Sequence, residues 1–140
     1  PDAAQPPSEP AQPDVPIDPR LQKEPVVKAG TGTVKALKVT PLVAGRGPAV
    51  AAGQTLTVNY TGVTYKDGKV FDSSWQRGEP VTFPIGVGQL IKGWDEGLVG
   101  VKVGSRVQLD VPSDKAYGDN PEGGRPPGDL RFVVDVIKAS

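Results

Sequence analysis

Apolar and polar residues alternate with period two through much of the chain beyond residue 34. Residues 55–63 place Leu56, Val58 and Tyr60 on one face and Thr55, Thr57, Asn59 and Thr61 on the other, which predicts a half-buried strand. Residues 105–111 repeat the pattern through Val107, Leu109 and Val111, and residues 130–137 through Leu130, Phe132, Val134 and Val136. Shorter β-type runs fall at 34–43 and 81–85. Pro41 inside the first implies an edge strand or a bulge, because proline cannot donate to a ladder. Gly45-Arg46-Gly47-Pro48 reads as a turn, and Lys66-Asp67-Gly68-Lys69 as a hairpin after which Val70 and Phe71 resume a strand. The period changes once. Leu90, Ile91, Trp94 and Leu98 recur at helical spacing, with Asp95 and Glu96 early in the segment, where a helix favours acids. Gly93 and Gly97 each cost a helix about 1 kcal/mol relative to alanine, so they predict either close packing against a sheet or a frayed helix. Several antiparallel-type strands and one helix predict an α+β fold, a twisted antiparallel β-sheet wrapped around one short α-helix. A Gly/Pro-rich loop spans 112–129.

The first 25 residues break every periodicity. They hold eight of the chain's sixteen prolines and no aromatic, a composition that predicts a disordered or polyproline-like arm. The expected division is a Pro-rich arm or linker at 1–28 and one domain at 29–140. The arm reads as a spacer from a membrane or a neighbouring domain, or as a tail without consequence. At 140 residues and 36% apolar content the chain can bury one core and not two.

Formal charge is zero, so no basic surface argues for nucleic acid, and a monomer is expected. The chain has no cysteine, histidine or methionine, which excludes cysteine nucleophiles, histidine bases, disulfides and His/Cys zinc sites. Asp114, Asp119 and Glu122 lack the spacing of a calcium loop. No metal or cofactor is expected. A first residue other than methionine is read as the mark of a processed form or of an excised segment. The expectation is an extracytoplasmic protein, secreted or tethered to a membrane through its arm, with a cytoplasmic location as the alternative.

All the aromatic residues fall between Tyr60 and Phe132. Asp72 directly follows Phe71, and a carboxylate near buried rings needs partners, for which Tyr60 and Arg77 are the candidates. The plain alternative is a set of surface charges. Trp94 fits an ordinary core position as well as a site. Ser73 and Ser74 have no base within the sequence's repertoire and no nucleophile-elbow frame.

Taken in order, Tyr60-Thr61-Gly62, Asp67-Gly68, Phe71-Asp72-Ser73-Ser74, Arg77, Pro80, the stretch 88–97, Ala116-Tyr117-Gly118, Pro126-Pro127 and Phe132 resemble the macrolide-binding (FKBP-type) peptidyl-prolyl cis/trans isomerases. The resemblance covers about three quarters of the chain, 34–138. It implies a pocket between helix and sheet with Trp94 as floor and Tyr60, Phe71, Ile91 and Phe132 as walls. Asp72, held by Tyr60 and Arg77, would be its polar edge. Leu90 and Ile91 would form the rim, the Ile91 N–H meeting a ligand carbonyl, and Tyr117 would offer its hydroxyl. Val81 stands where the family often carries phenylalanine and Gln89 where it often carries glutamate; with Phe83 they complete the implied ligand-binding set. The implied ligands are proline-containing peptides, unfolded proteins and macrolide inhibitors of the rapamycin type. The alternatives are a proline-peptide binding module or holdase with little turnover, and a purely structural domain carried on the arm.

Overall fold

The computed structural model describes residues 17–140. Six strands form one antiparallel sheet: β1 (Lys38–Val43), β2 (Thr55–Thr64), β3 (Val70–Ser73), β4 (Val81–Pro84), β5 (Arg106–Val111) and β6 (Leu130–Ala139). Their order is β1-β5-β6-β2-β3, with β4 also paired to β2. Among the described residues the α-helices are α1 (Ser74–Arg77) and α2 (Lys92–Leu98). β1 is an edge strand and its register shifts between Pro41 and Val43, so the proline meets both conditions that tolerate it. The strand starts at Lys38, four residues later than its pattern suggested.

The inner face of the sheet follows the alternation. Leu56, Val58, Leu109, Val111, Leu130, Val134 and Val136 are fully buried there, and α2 lies against them. Gly93 and Gly97 are the reason it can lie so close. A Cβ on Gly93 would stand 2.5 Å from Val111 Cγ1, and one on Gly97 3.1 Å from Leu109 Cδ2. Close packing, and not fraying, explains both glycines.

The outer face departs from the alternation. Arg106, Asp110, Val133 and Asp135 point away from the core yet are buried. Two cross-strand arginine–carboxylate pairs line it, Arg106 with Asp135 and Arg131 with Asp110, at positions directly opposite in the β5–β6 register. Each arginine also holds the chain that precedes β1. Arg106 Nη2 donates to the Lys23 carbonyl at 2.7 Å, and Arg131 Nη1 to the Lys28 carbonyl at 3.1 Å. A short 3-10 turn at Pro19–Gln22 is capped by Asp18, whose carboxylate accepts the Arg20 N–H, and it buries Leu21. The Gly30 N–H donates to Tyr65 O at 2.8 Å, and a Cβ on Gly30 would collide with the Tyr65 ring at 2.0 Å. Within the expected arm, the Lys23 and Lys28 carbonyls are thus held by arginines of β5 and β6. Residues 1–16 lie outside the described residues.

Candidate active site

Trp94 organises the site. It projects from α2 as the floor of a cleft of about 580 Å³ and is only 5% exposed. Three rings meet its indole edge to face: Tyr60 at 5.1 Å, Phe83 at 5.2 Å and Phe132 at 5.3 Å between centroids, and Phe71 meets Phe132 at 5.6 Å. Such pairs add about 0.5–1.5 kcal/mol each beyond area burial. The Trp94 indole N–H is buried without a hydrogen-bond partner among the described residues, so its contribution to the cleft is a ring face and no protein hydrogen bond.

The rings come from strands whose neighbours fix them. Tyr60 is on β2, Phe71 on β3, Phe83 on β4 and Phe132 on β6, and β2 pairs with the other three. Beneath Phe71 and Phe132 lies Gly62 of β2. Any Cβ there would fall 2.7 Å from Phe71 Cζ and 2.8 Å from Phe132 Cε1.

Asp72 supplies the polar edge. Its Oδ2 accepts a hydrogen bond from the Tyr60 hydroxyl, and its Oδ1 accepts from Arg77 Nη1 at 2.6 Å. Arg77 Nη2 closes the triangle by donating to the Tyr60 oxygen at 3.1 Å, with the guanidinium 5.8 Å from the Tyr60 ring centroid. Burial alone would push the Asp72 carboxyl up, but the Tyr60 hydroxyl and the Arg77 guanidinium outweigh it and hold the group below its ordinary value. Burial, then the bond to Asp72, pushes the Tyr60 phenol up. Both shifts lead away from neutrality. A carboxyl with a lowered folded value stabilises the protein above the unfolded value, about 3.9, and that contribution is lost as pH falls through the folded one.

Arg77 reaches this triangle from α1, a single helical turn ended by Gly78 in the left-handed conformation at φ 79°. The sequence pattern gave no helix there, because four residues carry no periodicity. Ser74, at the start of the turn, is completely buried. Its hydroxyl donates to Asn59 Oδ1 and accepts the Tyr60 N–H, so it anchors the strand that carries Tyr60. Arg77 itself does not line the cleft; it acts on it through Asp72 and Tyr60.

The rim is set by a second carboxylate. Asp95 Oδ1 accepts from the Gly86 N–H at 2.8 Å and Oδ2 from the Gly88 N–H at 3.0 Å, where both glycines hold positive φ. That clamp fixes the loop delivering Gln89, Leu90 and Ile91 to the cleft. Sequence periodicity begins the helix at Leu90. The structure begins it at Lys92, with Ile91 as N-cap, and the Ile91 N–H has no acceptor among the described residues. Opposite, Tyr117 lines the cleft from the long loop, which Asp129 pins by accepting the Ser113 and Val34 N–H groups.

Apart from Arg77, the residues expected to form the site all line this one cleft: Tyr60, Phe71, Asp72, Val81, Phe83, Gln89, Leu90, Ile91, Trp94, Tyr117 and Phe132. Arg125 lines it too and was not singled out. Gly62 and Asp95 were overlooked as supports. The aimed contact of Gly62 leaves no local trace, whereas the acid nine residues beyond Gly86 was visible but read as helix-end charge.

The family model described as FKBP-type peptidyl-prolyl cis-trans isomerase matches residues 47–137. Over 104 residues the chain is 46% identical to the FK506-binding protein of Streptomyces anulatus, spanning 72% of this chain and 84% of that protein. It is 45% identical over 87 residues to the peptidyl-prolyl cis-trans isomerase FPR2 of Saccharomyces cerevisiae, covering 61% of this chain and 64% of the yeast protein. Among solved structures it is similar to AtFKBP13, with a TM-score of 0.68 and 38% identity over 74% of this chain and 93% of that one. The chain belongs to the FKBP-type peptidyl-prolyl cis-trans isomerase family.

Proposed function

We propose that the cleft seats the proline ring of an X-Pro segment on Trp94 and lowers the barrier to rotation by favouring the twisted amide. Rotation faces about 18–20 kcal/mol because resonance across the C–N bond must be broken. A half-rotated amide has lost conjugation and part of its carbonyl polarity. It is therefore less penalised by a water-poor, ring-lined cleft than the planar amide is, and each tenfold of rate needs about 1.4 kcal/mol of that difference. The observation that carries the reading is the Tyr60–Asp72–Arg77 triangle at the edge of four aromatic rings. It places a fixed dipole beside the rotating carbonyl and offers no group poised to transfer a proton. The free Ile91 N–H binds a neighbouring substrate carbonyl, and the Tyr117 hydroxyl a second.

Two measurements test this. The rate of isomerisation of a Leu-Pro or Phe-Pro peptide should be nearly flat from about pH 6 to about pH 9, because Asp72 stays ionised and Tyr60 stays protonated across that range. A steep titration there would reveal a proton-transfer step and defeat the mechanism. Asp72→Ala should lower kcat/KM about tenfold, equivalent to about 1.4 kcal/mol of transition-state stabilisation. No acceleration by the native chain at all would end the catalytic reading.

The same cleft would take macrolides of the FK506 and rapamycin type, in competition with the proline peptide. Unfolded proteins exposing X-Pro bonds are its proposed clients. The Pro-rich residues ahead of Asp18 would act as a spacer from a cell-surface anchor, which fractionation of cells expressing the protein would test.

A further inference from the structure

Of the residues lining the cleft only Asp72 and Arg125 are ionic, and the Asp72 carboxylate is already bound by Tyr60 and Arg77. Arg125 is not matched in this way. Among the described residues no carboxylate lies within ion-pair distance of it. Of the acids in its loop, Asp114, Asp119 and Glu122 are exposed and Asp129 is taken up by the Ser113 and Val34 N–H groups, and none lines the cleft. The mouth thus presents a cation whose charge is unspent.

Its position is built into the backbone. Gly123 and Gly124 hold φ values of 73° and 75°, a left-handed pair that residues with a Cβ rarely adopt. Pro126 follows, and a residue before proline is confined to extended conformations. The turn therefore delivers Arg125 to the cleft in a restricted geometry. Its guanidinium carbon lies 5.6 Å from the Tyr117 ring centroid. A guanidinium within cation–π reach of a ring still has N–H donors free for a carboxylate.

We propose that Arg125 is a specificity-determining residue, selecting X-Pro segments that carry an aspartate or glutamate beside the proline. This deepens the isomerase reading and rests on it. The side chain is exposed, so the attraction acts through solvent and is screened by salt. Attraction of that kind is worth up to about fivefold for the acidic peptide, and repulsion of a lysine peptide widens the acid-to-lysine ratio to about three- to tenfold.

The test uses exchange NMR, which needs no coupling protease, on peptides with Glu, Ala or Lys immediately before the proline and on a matching set with them immediately after it. At one flank the native chain should turn over the Glu peptide about three- to tenfold faster, in kcat/KM, than the Lys peptide, and the ratio should shrink in about 0.5 M salt. Arg125→Lys, which keeps the charge but not the planar fork, should retain part of the ratio, Arg125→Ala should bring it near one, and Arg125→Glu should invert it. Each ratio is taken within one protein, so a change in overall activity cancels. A native ratio near one at both flanks, or a ratio unmoved by Arg125→Glu, overturns the inference while turnover of the Ala peptides keeps the isomerase reading. Absence of turnover on the Ala peptides overturns both.

Discussion

Replacing Asp135 with alanine is expected to lower the unfolding free energy by about 3–5 kcal/mol, a large part of the 5–15 kcal/mol typical of a domain. Asp135 is 1% exposed at the side chain and Arg106 11%. They bond through two parallel contacts, Nε to Oδ1 at 2.7 Å and Nη2 to Oδ2 at 2.8 Å. Removing the carboxylate leaves a guanidinium shielded from water with the Lys23 carbonyl as its remaining partner. Stranding the charge is what destabilises, more than the loss of the pair as such. Urea denaturation should therefore show a much lower midpoint at an unchanged slope. The double change Arg106→Met with Asp135→Leu should return most of the loss, since neither charge is then buried. A loss below about 1 kcal/mol in the single variant would show that water reaches Arg106 freely, against its burial. Because Arg106 also donates to the Lys23 carbonyl, amide exchange near Leu21 should speed up more in the double variant, which removes that donor, than in Asp135→Ala, which keeps it.

This outer face marks where the sequence stops being legible. The inner face could be read because Leu56, Val58, Val107, Leu109, Phe132 and Val134 repeat at period two, and burial on one side is a local property of a strand. The pairing of Arg106 with Asp135 joins residues 29 apart and that of Arg131 with Asp110 residues 21 apart. Period two assigns all four to solvent, and nothing local tells a solvated charge from a buried pair. Leu21 was hidden similarly, a single apolar residue in a Pro-rich stretch that is nonetheless buried. Motifs located the cleft residues because several are adjacent or nearly so, as with Phe71-Asp72 and Leu90-Ile91. Arg125 escaped because its direction depends on the φ angles of Gly123 and Gly124, which a reading for composition sees only as a flexible loop. The start of α2 shifted to Lys92 for a related reason: Leu90 and Ile91 keep the helical spacing but belong to a loop that Asp95 holds in another conformation.

Gly62→Ala should reduce kcat/KM by about ten- to hundredfold, that is by about 1.4–2.7 kcal/mol of transition-state stabilisation, although it adds only one methyl group. Gly62 pairs with Phe132 on one side and Asp72 on the other, so it sits under the cleft wall between two residues of the site. Its φ is not positive, and the backbone can accept alanine without strain. The obstacle is the pair of rings above it. With Cβ at 2.7 Å from Phe71 and 2.8 Å from Phe132, both rings must move, and the open direction is the cleft. Overpacking of this kind costs about 1–3 kcal/mol, so the variant should still fold and its activity can be measured. Competition with a proline peptide should show weaker binding, because the ring seat on Trp94 narrows as Phe132 advances. Adding Phe71→Leu to Gly62→Ala should restore part of the activity by making room on the other side. If Gly62→Ala kept native kcat/KM, the rings would have to yield away from the cleft, and the tight seat assigned here to Trp94, Phe71 and Phe132 would not govern the rate.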